Sequence, residues 1–308
     1  MSEKIALLFP GQGSQAVGML EELLATSDTV KATFSEASAA LGYDLAELVL
    51  NGPESDLNQT HRTQPALLTA SVAIYRQWRA NNADCEIVMA GHSLGEYSAL
   101  VCADVLTLSE AVKLVEKRGL YMQEAVPAGT GSMAAIIGLD DATIADVCAQ
   151  NAQEQVVSPV NYNSPGQVVI AGHKEAVARA SDACKEAGAK RALPLSVSVP
   201  SHCALMKPAA DKLTADLELL AFNDAKVDVI NNVDVAVSGT EKEIKDALVR
   251  QLYSPVRWTE TFQKLAALGV TQAYEFGPGK VLTGLAKRID KSVVCSAVND
   301  TATIESAK

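Results

Sequence analysis

The sequence predicts an α/β fold with a smaller βαββαβ unit inserted in it, and three observations carry that expectation. Short apolar runs followed by helical stretches recur in both the first and the last third of the chain. Between about Gly131 and Pro200 the pattern changes to strand, helix, strand, strand, helix, strand, the order of a ferredoxin-like unit. Beyond Pro200 the earlier α/β character resumes, so the small unit reads as an insertion.

Lys4 to Phe9 (KIALLF) reads as a buried strand, which PGQGSQ breaks before a helical stretch around Met19 to Leu24. In TQPALLTASVAIYRQWRA, Thr63 is placed to cap a helix with Pro65 in its first turn, and Leu68, Val72 and Tyr75 follow at helical spacing. Glu86 to Ala90 is a second short apolar strand and Glu96 to Ala103 a helix of small residues, which puts Ser93 at a strand-to-helix turn. The inserted unit comprises MAAIIGL, DDATIADVCAQN, VVSPVNYN, QVVIAGH, KEAVARASDACKEAG and AKRALPLSVSV, with NYNSPG (Asn161 to Gly166) as its central hairpin turn. After it come a helix from Pro208, a strand near Val227 to Asn231, a helix near Glu241 to Tyr253 and a strand near Ala273 to Phe276.

With 308 residues, 48% hydrophobic and 20% charged, the chain has the composition of a globular protein able to bury a large core. The apolar run before Pro10 is too short for a signal h-region and no later segment approaches a membrane span, so a cytosolic protein is expected. A net charge of −11 argues against nucleic-acid binding, which needs clustered Lys and Arg. Its six cysteines form no CxxC pair and its four histidines no HExxH, so neither disulfides nor a metal site are expected.

GHSLGEYSA (Gly91 to Ala99) has the GxSxG spacing of a nucleophile elbow, in which glycines remove side chains that would clash at a strained turn. The amide of Leu94 is then the expected oxyanion donor, with that of Gln12 in PGQGSQA opposite it. A serine needs a base. His173 reads as a helix start and His92 as a residue the turn directs away, whereas His202, in SVPSHCALM where the chain leaves the small unit, suits the base. Arg118 falls on the apolar face of LSEAVKLVEKRGLYMQEA with Ala111, Leu114, Val115 and Met122; a charge there must be paired, by an internal acid or by a bound carboxylate. The rival signal is GxGxxA in PGQGSQA, but a dinucleotide site needs a second strand where the region around Glu36 continues as helix. GPGKVLTG (Gly277 to Gly284) reads as a structural strand-to-helix turn.

Taken together, FPGQGSQ, QPALLTAS, GHSLGEYSA, the Arg118 helix and VPSHCALMKPA, in this order, closely resemble malonyl-CoA:acyl carrier protein transacylases of bacterial type II fatty-acid synthesis, through QLYSPVRW and EFGPGKVL. The resemblance implies an α/β-hydrolase-like large subdomain (1–127 and 205–308) and a ferredoxin-like small one (128–204). It implies that Ser93 carries the malonyl group, His202 acts as base then acid, and Arg118 holds the malonyl carboxylate. Gln12 and Leu94 would supply oxyanion amides, Gln64 of QPALLTAS would join the substrate site, and the backbone carbonyl of Gln251 would orient the histidine in place of a triad acid. Malonyl-CoA and a transiently docked acyl carrier protein are the implied partners of a monomer that needs no metal or bound cofactor. Ser201, just before the histidine, bears on malonyl against methylmalonyl choice; malonyl is expected. A thioesterase or esterase using the same Ser93 and His202 is the rival enzyme, and a binding module keeping the fold the rival without chemistry.

Overall fold

In the computed structural model, which describes residues 4–82, 85–195, 197 and 199–307, nine strands form two sheets. The first, all parallel, has the order β7 (Asp228–Ile230), β2 (Glu86–Gly91), β1 (Lys4–Phe9), β8 (Gln272–Phe276), β9 (Val294–Val298). Side chains alternate across a strand, so β1 divides its residues between two cores. Ile5, Leu7 and Phe9 pack on one side with the helices Thr60–Arg79 and Leu108–Ala125, and Ala6 and Leu8 pack on the other with Trp258 and Phe262.

The second sheet is antiparallel, with the order β4 (Val157–Ser164), β5 (Gln167–His173), β3 (Gly131–Ile137), β6 (Arg191–Pro194). Helices Asp141–Ala152 and Lys174–Glu186 cover one face, burying Ile144, Cys148, Val177 and Cys184 against Ile136, Val168 and Ile170. Met133, Val169 and Ala171 on the opposite face meet Cys203, next to His202. Backbone bonds join the sheet's edge to the body: Tyr162 N–H donates to the Val256 carbonyl at 3.0 Å, and Val256 N–H to that of Val160 at 2.8 Å.

Five expectations shift. The hairpin turn expected over Asn161 to Gly166 narrows to Pro165 and Gly166, because β4 stays paired to β5 as far as Ser164. Leu20 sits at φ 59°, left-handed backbone that cannot continue a helix, so the first helix is Glu21–Thr26 rather than Met19 to Leu24. Thr63 does not cap: the helix starts at Thr60, Thr63 Oγ1 donates to the Leu57 carbonyl at 2.6 Å, and Pro65 lies inside the helix, where its missing N–H leaves one bond unmade. The strand expected over AKRALPLSVSV ends at Pro194, because β3 pairs only Ile137 to Ala134 with it; Ser196 and Ser198 lie outside the described residues. The edge strand β9 was not anticipated.

Candidate active site

The C-terminal ends of β1, β2 and β7 converge, as expected where open parallel sheets carry their sites. Ser93 leaves β2 at φ 51°, ψ −110°, and the helix Leu94–Cys102 starts at once. Such backbone costs about 1–3 kcal/mol for a non-glycine residue. The flanking glycines are there for close approach: a Cβ on Gly95 would lie 2.0 Å from the Phe9 carbonyl oxygen, and one on Gly91 1.9 Å from the Gly95 carbonyl carbon. Removing both Cβ atoms lets the helix seat against β1 and presents Ser93 at the edge of a cleft of about 230 Å³.

His202 Nε2 lies 2.8 Å from Ser93 Oγ. Its Nδ1 lies 2.7 Å from the Gln251 carbonyl oxygen, which can only accept, so the proton sits on Nδ1 and Nε2 faces the serine with a free lone pair. Burial, followed by the nearby Arg118 charge, lowers the His202 pKa from its ordinary 6.5 to about 3. The imidazole is therefore neutral at pH 7 and competent to accept a proton.

Arg118 is 1% exposed, yet every hydrogen-bond partner it has among the described residues is neutral. Its terminal nitrogens donate to Gln64 Oε1 at 2.8 Å, Gln251 Oε1 at 3.0 Å and Ser93 Oγ at 3.3 Å. No acid touches it directly among the described residues; Glu96, on the far side of Gln251, acts on it only through its charge. A buried guanidinium with no directly bound anion is costly, and one 3.3 Å from Ser93 Oγ is placed to meet an acidic group on a molecule bound beside that serine.

Gln12, an exposed residue after β1, and Leu94, the first residue of the elbow helix, both line the cleft beside Ser93. The Leu94 N–H has no acceptor within its own helix, whereas Gly95 N–H donates to the His92 carbonyl at 2.9 Å and Glu96 N–H to the Ser93 carbonyl at 3.0 Å, which leaves the Leu94 amide as the donor available at the cleft. His92 packs on Trp258, with ring centroids 5.5 Å apart, and donates from Nε2 to Asn163 Oδ1 at 2.8 Å, across to the small sheet. His173 occupies the position before the helix Lys174–Glu186 without capping it through its side chain, whose Nδ1 accepts from Val156 N–H at 2.9 Å.

Three residues of the site escaped sequence reasoning. Asn232, after β7, accepts from Ser93 N–H at 2.7 Å and donates to the Gly91 carbonyl at 2.6 Å. Glu96, 2% exposed, accepts from Asn232 N–H at 2.9 Å and from Gln251 Nε2 at 2.8 Å. Asn163 holds His92. Glu96 had left a signal, a lone acid in the otherwise uncharged LGEYSALVC; Asn232 left only its place just past an apolar run.

A strained serine between two glycines, 2.8 Å from a neutral histidine and 3.3 Å from a buried cation, is the arrangement of an enzyme that handles acyl groups. Comparison with known proteins agrees: the family described as acyl transferase domain matches residues 6–302. The chain is 62% identical over 304 residues to the malonyl CoA-acyl carrier protein transacylase of Escherichia coli, covering 99% of this chain and 98% of that protein. The crystal structure of an acyl carrier protein S-malonyltransferase from Vibrio cholerae superposes with a TM-score of 0.97 at 63% identity, covering 99% of this chain and all (100%) of the other. A malonyl-transacylase in complex with its type II PKS acyl-carrier protein gives 0.98 at 60% identity, with 99% of each chain covered. The chain belongs to the malonyl CoA-acyl carrier protein transacylase family.

Proposed function

We propose that this chain transfers the malonyl group of malonyl-CoA to the phosphopantetheine thiol of acyl carrier protein through a malonyl ester on Ser93, supplying extender units for fatty-acid synthesis. One observation carries the choice of acyl group: the buried Arg118 guanidinium, with only neutral protein partners, lies 3.3 Å from the nucleophile. A malonyl carboxylate gives it a direct counter-ion, whereas a neutral ester leaves it only the more distant charge of Glu96. That asymmetry disfavours a thioesterase or esterase of neutral substrates.

In the first half-reaction, His202 Nε2 takes the Ser93 proton as Oγ attacks the thioester carbonyl. The C–O bond forms, the oxyanion faces the amides of Gln12 and Leu94, and collapse breaks the C–S bond while His202 returns its proton to the departing thiolate. The second half-reaction runs the same steps in reverse, with the carrier thiol attacking the ester. The Gln251 carbonyl keeps the histidine in the required tautomer, and Gln64 steadies Arg118. A bound carboxylate would also offset the Arg118 charge that helps depress His202, making it a better base once the substrate is seated. Ser201 lines the same cleft, where a methyl group changes affinity by only about 1–3 kcal/mol, so selectivity over methylmalonyl is modest.

The finer assignments belong to the same reading. The parallel-sheet body (1–127 and 205–308) is α/β-hydrolase-like and the antiparallel unit (128–204) ferredoxin-like, and the protein acts as a monomer in the cytosol. No helix among the described residues is long and apolar enough to cross a membrane. Because the chain carries −11, an acidic carrier would dock on a local basic patch of the exposed Lys190, Arg191, Lys287 and Arg288. Incubation with malonyl-CoA and intact-mass measurement tests the proposal: one malonyl adduct on the wild-type chain, none on Ser93→Ala. A wild-type chain that releases coenzyme A without ever carrying an adduct, or an adduct that survives Ser93→Ala, would overturn it.

A further inference from the structure

We propose that Asn232 and Glu96 are positioning residues of the acyl-transfer site, bracing the Ser93 peptide in its positive-φ conformation so that Oγ stays on His202. The inference rests on Ser93 being the nucleophile of the proposed transfer.

The brace is continuous. One amide, that of Asn232, spans the elbow: Oδ1 accepts from Ser93 N–H at 2.7 Å and Nδ2 donates to the Gly91 carbonyl at 2.6 Å. The Ser93 carbonyl in turn accepts from Gln251 Nε2 at 3.1 Å. Both polar groups of a residue at φ 51° are therefore held by side chains from distant segments. A single oxygen, Glu96 Oε2, then ties those segments together by accepting from Asn232 N–H at 2.9 Å and Gln251 Nε2 at 2.8 Å. Asn232 and Gln251 are fully buried and Glu96 nearly so, at 2% exposed, so water cannot stand in for any member.

Gln251 makes the brace matter for chemistry. Its backbone carbonyl aims His202, its Oε1 accepts from Arg118, and its Nε2 is fixed between the Ser93 carbonyl and Glu96. A Gln251 amide turned over would present its NH2 group to the Arg118 cation and its oxygen to two acceptors. Glu96 specifies the orientation that serves both partners.

The test compares Asn232→Ala, Glu96→Ala and Glu96→Gln with wild type, reading the rate constant and final stoichiometry of Ser93 labelling by a fluorophosphonate and by malonyl-CoA. Thermal unfolding reports the fold of each variant. Expected are full stoichiometry and rate constants lowered about tenfold or more for both reagents in the two alanine variants, because a misplaced nucleophile slows attack on any electrophile. Glu96→Gln, whose Oε1 still accepts both N–H groups, should stay within about threefold of wild type. Unchanged rate constants in folded alanine variants, or Glu96→Gln as slow as Glu96→Ala, would overturn the proposal. If Asn232→Ala does not fold, the two Glu96 variants decide alone. Labelling of the wild type by the fluorophosphonate but not by malonyl-CoA would sink the acyl-donor reading instead, and the labelling rates would still decide the brace.

Discussion

The parallel-sheet body and the antiparallel unit meet at one cleft and hold it in different ways. On the body side, Ser93 and Arg118 are held by buried hydrogen bonds, many of them to backbone groups, and both polar groups of the strained Ser93 backbone are met by side chains of Asn232 and Gln251. His202, at the junction, takes both its backbone and ring contacts from the body, through Leu252 and Gln251. On the small-unit side, Met133, Val169 and Asn163 line the wall, and among the described residues its side-chain hydrogen bond to the residue next to Ser93 is that of Asn163 with His92. The difference teaches a division of labour: buried hydrogen bonds are concentrated around the 2.8 Å contact of Ser93 with His202, where the proposed proton transfer would occur, and the facing wall is built on a separate core.

Arg118→Ala breaks that division most directly, since Arg118 belongs to the rigid side yet is assigned to substrate choice. Hydrogen bonds to charged groups contribute about 1.5–3 kcal/mol, so malonyl-CoA kcat/KM should fall roughly 10- to 100-fold while acetyl-CoA is nearly unaffected. Equal losses for both donors would place the guanidinium in transition-state support rather than in carboxylate recognition.

A smaller effect is expected from the other wall. Asn163→Ala removes one neutral hydrogen bond, about 1 kcal/mol, and should raise KM for malonyl-CoA about fivefold with the saturating acylation rate preserved. A lowered saturating rate at unchanged KM would mean that the small unit also positions the chemistry. Charge reversal at Arg288, which also donates to Gln167 across the two units, should slow transfer to acyl carrier protein a few-fold without changing acylation by malonyl-CoA. Stopped-flow assays of the two half-reactions separate these outcomes.

The smallest effect concerns pH. With its folded pKa lowered to about 3, His202 should keep the acylation rate within about twofold from pH 8 to pH 5. A sigmoidal loss centred near the ordinary 6.5 would show the imidazole to be solvated. Linkage gives the stability sign: below 6.5 the unfolded chain binds a proton that folded His202 refuses, so this contribution is lost as pH falls toward 3. Glu96, raised by burial from 4.5 to about 7, acts oppositely, its contribution being lost as pH rises through that window. Denaturant melts of Glu96→Gln against wild type across pH 4 to 8 would separate the two.

Much of the site could be read early because its signals are local. Gly91 and Gly95 around Ser93 are a steric requirement written within five residues, and Arg118 declared itself as a charge on an apolar face. Asn232 declared nothing, since an asparagine after a strand is ordinary until the Ser93 peptide is found against it. Thr63 misled for a related reason: its hydroxyl suits a cap, but the helix had already begun at Thr60, and the group went to the Leu57 carbonyl instead.

By itself the sequence determined most of the strands, though not the edge strand β9 or where β6 stops, and also where the pattern changes character and where a serine is forced into strained backbone, because period, apolar content and steric bulk act over a few residues. It also carried the family resemblance, which named the Gln251 carbonyl as the partner of His202. Tertiary structure alone decided the parallel order β7, β2, β1, β8, β9, and with it which loops share an edge. It brought together Ser93 and His202, 109 residues apart, and left Arg118 with no acid in direct contact among the described residues. It also hung Asn232 and Gln251 on one oxygen of Glu96. Those meetings depend on how strands pair and how two sheets face each other, and non-local packing leaves no periodic trace in a chain.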